Sequence, residues 1–164
     1  MEKPWALTGT DCKREHNIVN SLYLVPEELE RTNIERFERY KEIEEKEARY
    51  ESFMMDDAEI AVVAFGIAAR VSKNAVIAAR NEGIKAGLIR PITVWPFPKK
   101  AIEDAASHVK GFLSVELSMG QMIDDIRLSC GCRLPVELCS RVGGMIPSPD
   151  EVLDSIRKMN GGNA

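Results

Sequence analysis

From Asp56 onward the sequence alternates short, largely apolar runs with stretches of helical spacing, and few folds accept that pattern. The runs are residues 60–65 (IAVVAF), 86–89 (AGLI), 112–117 (FLSVEL) and 134–139 (LPVELC). A short apolar run bounded by turn residues suits a strand buried on both faces, which is the habit of parallel sheets. Between the runs, apolar residues recur at helical intervals. Residues 67–81 would turn Ile67, Val71, Ala75, Ala78 and Ala79 inward, and Glu82-Gly83 would close that helix. Pro98 can open a second helix, with Ile102, Ala105, Ala106 and Val109 inward and His108 near its end. Ser118 with Gln121, and Ser148 with Glu151, have the spacing of a capping box. They predict two helix starts, the first burying Met119, Met122, Ile123 and Ile126, the second Val152, Leu153, Ile156 and Met159. Strands separated by helices predict an α/β fold, a three-layer α/β/α sandwich with a mainly parallel sheet over residues 56–164.

Residues 1–55 follow another logic. The first 25 hold no sustained period, and Thr8-Gly9 and Asn20-Ser21 read as turns. The apolar Trp5 beside Lys3-Pro4 suggests a chain that continues on its N-terminal side, with Met1 as the start of an expressed fragment. Residues 26–51 carry ten acidic and six basic side chains, a surplus equal to the net charge of −4 of the whole chain. Pro26, Glu27 and Glu28 suit a helix N-terminus. Ile34, Phe37, Tyr40 and Ile43 make one narrow apolar stripe. Glu35 with Arg39 and Glu42 with Lys46 are favourable i,i+4 pairs. The expectation is a long, charged, exposed helix that acts as a strut or meets a partner.

Composition narrows the function classes. With 22 basic against 26 acidic side chains, nucleic acid is not an expected partner. No apolar run reaches the roughly 20 residues a bilayer crossing needs, so no membrane partner is expected and the chain reads as cytoplasmic. Cys12, Cys130, Cys132 and Cys139 suit a reducing compartment better than a disulfide framework.

Ligands in such folds gather beyond the carboxyl ends of the strands. Gly66 could open an anion-binding turn, but FGIAARVS lacks both glycine-rich phosphate patterns and a plain tight turn is favoured. Arg90 could meet a phosphate or carboxylate, or join a surface ion pair. Glu116 could act as a base, though a structural hydrogen bond suits a solitary carboxylate better. Trp95 and Phe97, in the stiff loop WPFP, either dock on a neighbouring domain or pack at a helix entry. The cysteine spacing fits neither an iron–sulfur cluster nor a zinc knuckle, and no nucleophile–histidine constellation stands out. The residues therefore predict no catalytic, cofactor-binding or metal site within the chain. Gly66, Arg90, Trp95, Phe97, Glu116 and Gln121 remain as candidate interface or anion contacts.

Several stretches together resemble a known family. KPWALTGTD, NSLYLVPEELE, RYESFMMDDAEIAVVAFGIAARV, EGIKAGLIRPITVWPFP and VELSMGQMIDDIRL are similar to the C-terminal part of the alpha subunit of 2-oxoacid:ferredoxin oxidoreductases, the 2-ketoisovalerate type above all. GLIRPITVWPFP is the most specific piece, and the Gly120-Gln121 turn supports it. The resemblance implies a transketolase C-terminal-like domain, and a complex that oxidatively decarboxylates a 2-oxoacid to an acyl-CoA and reduces ferredoxin. It also implies thiamine diphosphate, iron–sulfur clusters and coenzyme A at the level of the complex, with none bound by this segment. The implied partners are the other domains of the alpha subunit, the beta and ferredoxin-like subunits, and ferredoxin. Two alternatives stay open: a C-terminal domain of a transketolase or 2-oxoacid dehydrogenase decarboxylase, and a stand-alone module binding an anion at Gly66 and Arg90.

Overall fold

All four apolar runs become strands. The computed structural model describes residues 3, 5–7, 9–18 and 20–161. It contains β2 (Ile60–Ala64), β3 (Ala86–Pro91), β4 (Gly111–Glu116) and β5 (Val136–Ser140), all mutually parallel. The helices are α1 (Pro26–Glu47), α2 (Gly66–Asn81), α3 (Lys99–Ala105), α4 (Met122–Ser129) and α5 (Pro149–Met159). A fifth strand, β1 (Tyr50–Phe53), pairs antiparallel with β3, giving the order β1-β3-β2-β4-β5. The sheet thus takes in residues 50–53, ahead of the start expected at residue 56. The sequence YESF shows no apolar run because an edge strand needs little burial, and here only Phe53 is partly covered.

Side chains alternate across the sheet and build two cores. On one face Ile60, Val62, Leu88, Leu113 and Val115 pack under α2 and α5. On the other Ala61, Val63, Ile89 and Phe112 pack under α3 and α4. β2 is buried along its whole length. The layers are therefore the expected α/β/α. Gly87 permits one close approach, since a Cβ there would lie 2.6 Å from the Met54 carbonyl oxygen of the β1–β2 connection.

Four local expectations need correction. In α2 the buried face is Ala68, Ala69, Ser72, Ala75, Val76 and Ala79, while Ile67 is exposed. The small residues go inward because only they let the helix sit close to the sheet. The Ser118–Gln121 pair forms no capping box; α4 starts one residue after Gln121 with no side-chain cap from it. Met119 lies outside that helix and is 80% exposed. The second proline-led helix ends at Ala105, so Val109 is buried from the following turn and His108 sits in that turn, not in a helix. By contrast, Ser148 and Glu151 form both bonds of their box, with Pro149 at the first position.

The chain divides into two compact units, residues 1–40 and 41–164. In the first, Asn20 Oδ1 accepts from the Leu22 amide at 2.9 Å, closing the expected turn. Gly9 has φ +86°, while Thr8 lies outside the described residues. The division falls within α1, which ends at Glu47 rather than 51 and buries no residue. Ile34 and Phe37 of its stripe are 58% and 63% exposed. The pair formed by Glu35 is with Arg31 at 2.6 Å, while Glu42 pairs with Lys46 as expected.

Candidate functional site

The order β3-β2-β4 sets the place where such a fold would hold a ligand. The connection from β2 leads to β3 on one side and that from β4 leads to β5 on the other, so a crevice opens between the carboxyl ends of β2 and β4. Phe65 and Gly66 stand on one side, residues 116–121 on the other. Gly66 has φ +58°, the left-handed conformation that the strand-to-helix turn requires, and nothing lies within 4 Å of a notional Cβ.

Glu116 fills the other side from within. It is the last residue of β4, 3% exposed, and its carboxylate accepts five hydrogen bonds. Oε1 accepts from Ser114 Oγ at 2.7 Å and from the Ile123 amide at 2.9 Å. Oε2 accepts from Ser118 Oγ at 2.8 Å and from the amides of Gln121 and Met122 at 2.8 and 3.1 Å. Burial pushes this carboxyl up, but the bonds from Gln121, Ser114, Ser118 and Ile123 outweigh it and hold it below the ordinary value. The free amides at the start of α4 form a natural anion site, and the chain's own side chain occupies it. That explains the failed capping box: the cap comes from the strand end. Gln121 contributes its backbone amide there. Glu116 is an ionised acceptor with every oxygen engaged, which gives it no free lone pair aimed at a substrate proton.

The remaining candidates scatter. The loop WPFP divides its two aromatic rings: Phe97 is 7% exposed within the α3–α4 core, whereas Trp95 is 56% exposed. Arg90 Nη1 donates to Glu51 Oε2 at 3.0 Å across the β1–β3 pair. Glu51 was not foreseeable as its partner, because β1 carries no apolar run. Cys130 is buried in the α3–α4 core and Cys139 packs on the opposite core. These thiols lie on two sides of the sheet, so they cannot converge on an iron–sulfur cluster. Burial raises the Cys139 thiol above its ordinary value, which disfavours its thiolate. Among the described residues no group of three or more His, Cys, Asp and Glu is placed to hold a metal ion.

One feature spans the whole carboxyl edge. Each turn that leaves a parallel strand there exposes large apolar side chains: Ile67 after β2, Ile92 and Trp95 after β3, Leu117 and Met119 after β4, Met145 and Ile146 after β5.

Comparison with known proteins fits this geometry. Residues 58–152 match the family Pyruvate:ferredoxin oxidoreductase core domain II. The chain belongs to this family. Core domain II here covers β2 to the first turn of α5, the parallel part of the sheet. The chain is 47% identical over 157 residues to the ketoisovalerate oxidoreductase subunit VorB of Methanothermobacter thermautotrophicus, covering 96% of this chain and 44% of that protein. The chain thus spans less than half the length of the curated relatives it matches. A solved 2-oxoglutarate:ferredoxin oxidoreductase from Magnetococcus marinus, with 2-oxoglutarate, coenzyme A and succinyl-CoA bound, superposes with a TM-score of 0.72 at 18% identity, over 84% of this chain and 24% of that one. A split-gene transketolase, described as an inactive beta4 tetramer, gives 0.57 at 14% identity, over 68% and 41%. Both structures share the fold of core domain II; the sequence likeness runs to the oxidoreductase subunits.

Proposed function

We propose that this chain is the C-terminal scaffold and assembly domain of the alpha subunit of a 2-oxoacid:ferredoxin oxidoreductase, with 2-ketoisovalerate as its oxoacid. The complex would decarboxylate the oxoacid oxidatively, pass the acyl group to coenzyme A and pass the electrons to ferredoxin. Thiamine diphosphate and the iron–sulfur clusters would be held by the other domains of the alpha subunit and by the beta and ferredoxin-like subunits, in the cytoplasm. The likeness to VorB supports the enzyme class.

The observation that carries the scaffold role is the carboxyl edge. Its crevice is filled by Glu116, and its rim is apolar and exposed where a small-molecule site would offer unsatisfied polar groups. Such a rim favours burial against another folded surface. Trp95 and Met119 are the anchors of that contact, Phe97 and Gln121 shape the turns that carry them, and Gly66 shapes the turn before Ile67. The sheet unit forms the scaffold, and the charged helix α1 reaches toward a subunit boundary.

Co-expression with the companion subunits and affinity purification through this chain test the reading. Wild-type chain should retain them, and the double variant Trp95→Asp, Met119→Asp should lose them while keeping its unfolding temperature. Calorimetry of the isolated chain with thiamine diphosphate should show no binding; micromolar affinity would overturn the scaffold role.

A further inference from the structure

The cover over the sheet runs out at its β1 edge. The β1–β3 register sets Phe53 opposite Leu88 and Glu51 opposite Arg90. Leu88 and Phe53 belong to the α2 side of the sheet, and strand alternation puts Glu51 and Arg90 on that same side. The flank of α2 faces them with Ala69, Arg70 and Lys73. Together these walls enclose a cavity of about 400 Å³. That is within the size range of small-molecule sites.

Its chemistry is lopsided. Phe53, Ala69 and Leu88 make an apolar floor, and three cations stand around it against one carboxylate. Glu51 engages Arg90 through a single guanidinium nitrogen at 3.0 Å, which leaves the other donors of that fork available. Lys73 Nζ lies 4.6 Å from the centre of the Phe53 ring. Among the described residues, neither Arg70 nor Lys73 has a carboxylate partner. In a chain of net charge −4, a pocket with a local surplus of positive charge is a selective feature.

We propose that this cavity binds a small organic phosphate, a monoester whose dianion lies between Arg70, Lys73 and Arg90 and whose apolar part rests on Phe53. Two guanidinium forks and an ammonium match the charge and the several oxygens of a phosphate dianion better than those of one carboxylate. Glu51 opposes the ligand and limits its affinity. The inference depends on the cavity alone and stands whether or not the chain works in an oxidoreductase.

Calorimetric titration of the full chain with phenyl phosphate, phenol and inorganic phosphate tests it. Phenyl phosphate should saturate one site, inorganic phosphate should compete more weakly, and phenol should not bind. Arg70→Ala and Lys73→Ala, both exposed helix positions, should each weaken phenyl phosphate about tenfold, the loss of one charge-assisted hydrogen bond. Glu51→Gln should tighten it, with unfolding temperatures unchanged throughout. Absence of saturable binding, indifference to Arg70→Ala and Lys73→Ala, or equal binding of phenol would overturn the proposal. So would preference for a glutamate-rich peptide over phenyl phosphate, which would assign the cavity to an acidic protein segment.

Discussion

Glu116 shows how one side chain can settle the character of a site. Its two oxygens take five donors, three of them backbone amides that no other acceptor serves. In Glu116→Gln the amide nitrogen would replace one acceptor and face donors, so buried amides would be left unmatched. The expected loss is about 2–3 kcal/mol in a urea titration. The acid limb follows with its sign. The folded-state carboxyl lies below its ordinary value, so its stabilisation is complete above the unfolded value of roughly 4.3 and is lost as pH falls through the folded one. Stability measured from pH 6 downward should therefore fall less steeply in the Gln variant than in wild type. Ser72 is the opposite case. Its hydroxyl is fully buried on the inner face of α2 and has no hydrogen-bond partner among the described residues. Ser72→Ala should raise stability by about 1–2 kcal/mol, read from the shift in denaturation midpoint. Sequence alone allowed a structural role for Glu116 but not its five partners, because four of the donors become neighbours only when the loop folds back over the strand end.

At the scale of elements, the legible parts were those whose signal is local. The buried strands announced themselves as apolar runs, and the Ser148–Glu151 box announced α5. On α2 the expectation missed at Ile67, because the inward side is chiefly alanine and periodicity weighted toward larger residues favoured the isoleucine, while Ala75 and Ala79 are buried and Val71 and Ala78 pack on the core as expected. β1 was invisible because what holds it is remote in sequence. Arg80 of α2 donates from Nε to Ala86 O at 2.6 Å, from Nη2 to Met54 O at 2.7 Å and from Nη1 to Asp57 Oδ1 at 2.7 Å. One planar fork thus ties the β1–β2 connection to the start of β3. Lysine cannot reach three divergent acceptors. Arg80→Lys should cost about 1–3 kcal/mol through the two carbonyl bonds. Hydrogen exchange should show the amides of residues 50–57 losing protection before those of β2 and β4.

At the largest scale, the sheet of the unit formed by residues 41–164 has two unlike edges. The amino edge of the sheet carries ion pairs, including Glu59 with Lys85 and Lys110. The carboxyl edge carries the apolar turns. An isolated chain should therefore bind a fluorescent apolar dye at that edge, and Trp95→Asp with Met119→Asp should lower the signal, the exposed stripe of α1 supplying the remainder, without altering far-ultraviolet circular dichroism. The sandwich itself could be foreseen from the strand–helix rhythm, since burial on both faces dictates composition. The apolar edge could not, because Met119 and Ile67 look like core residues until the turns that hold them are known.

The carboxylate that stoppers the β2–β4 crevice has a further effect. Being part of the same polymer, it cannot diffuse away, so a free solute must outcompete a tethered rival whose effective concentration is on the order of millimolar or more. Metabolite surges would leave the start of α4 unchanged, and the turn that presents Met119 would keep one shape in fed and starved cells alike.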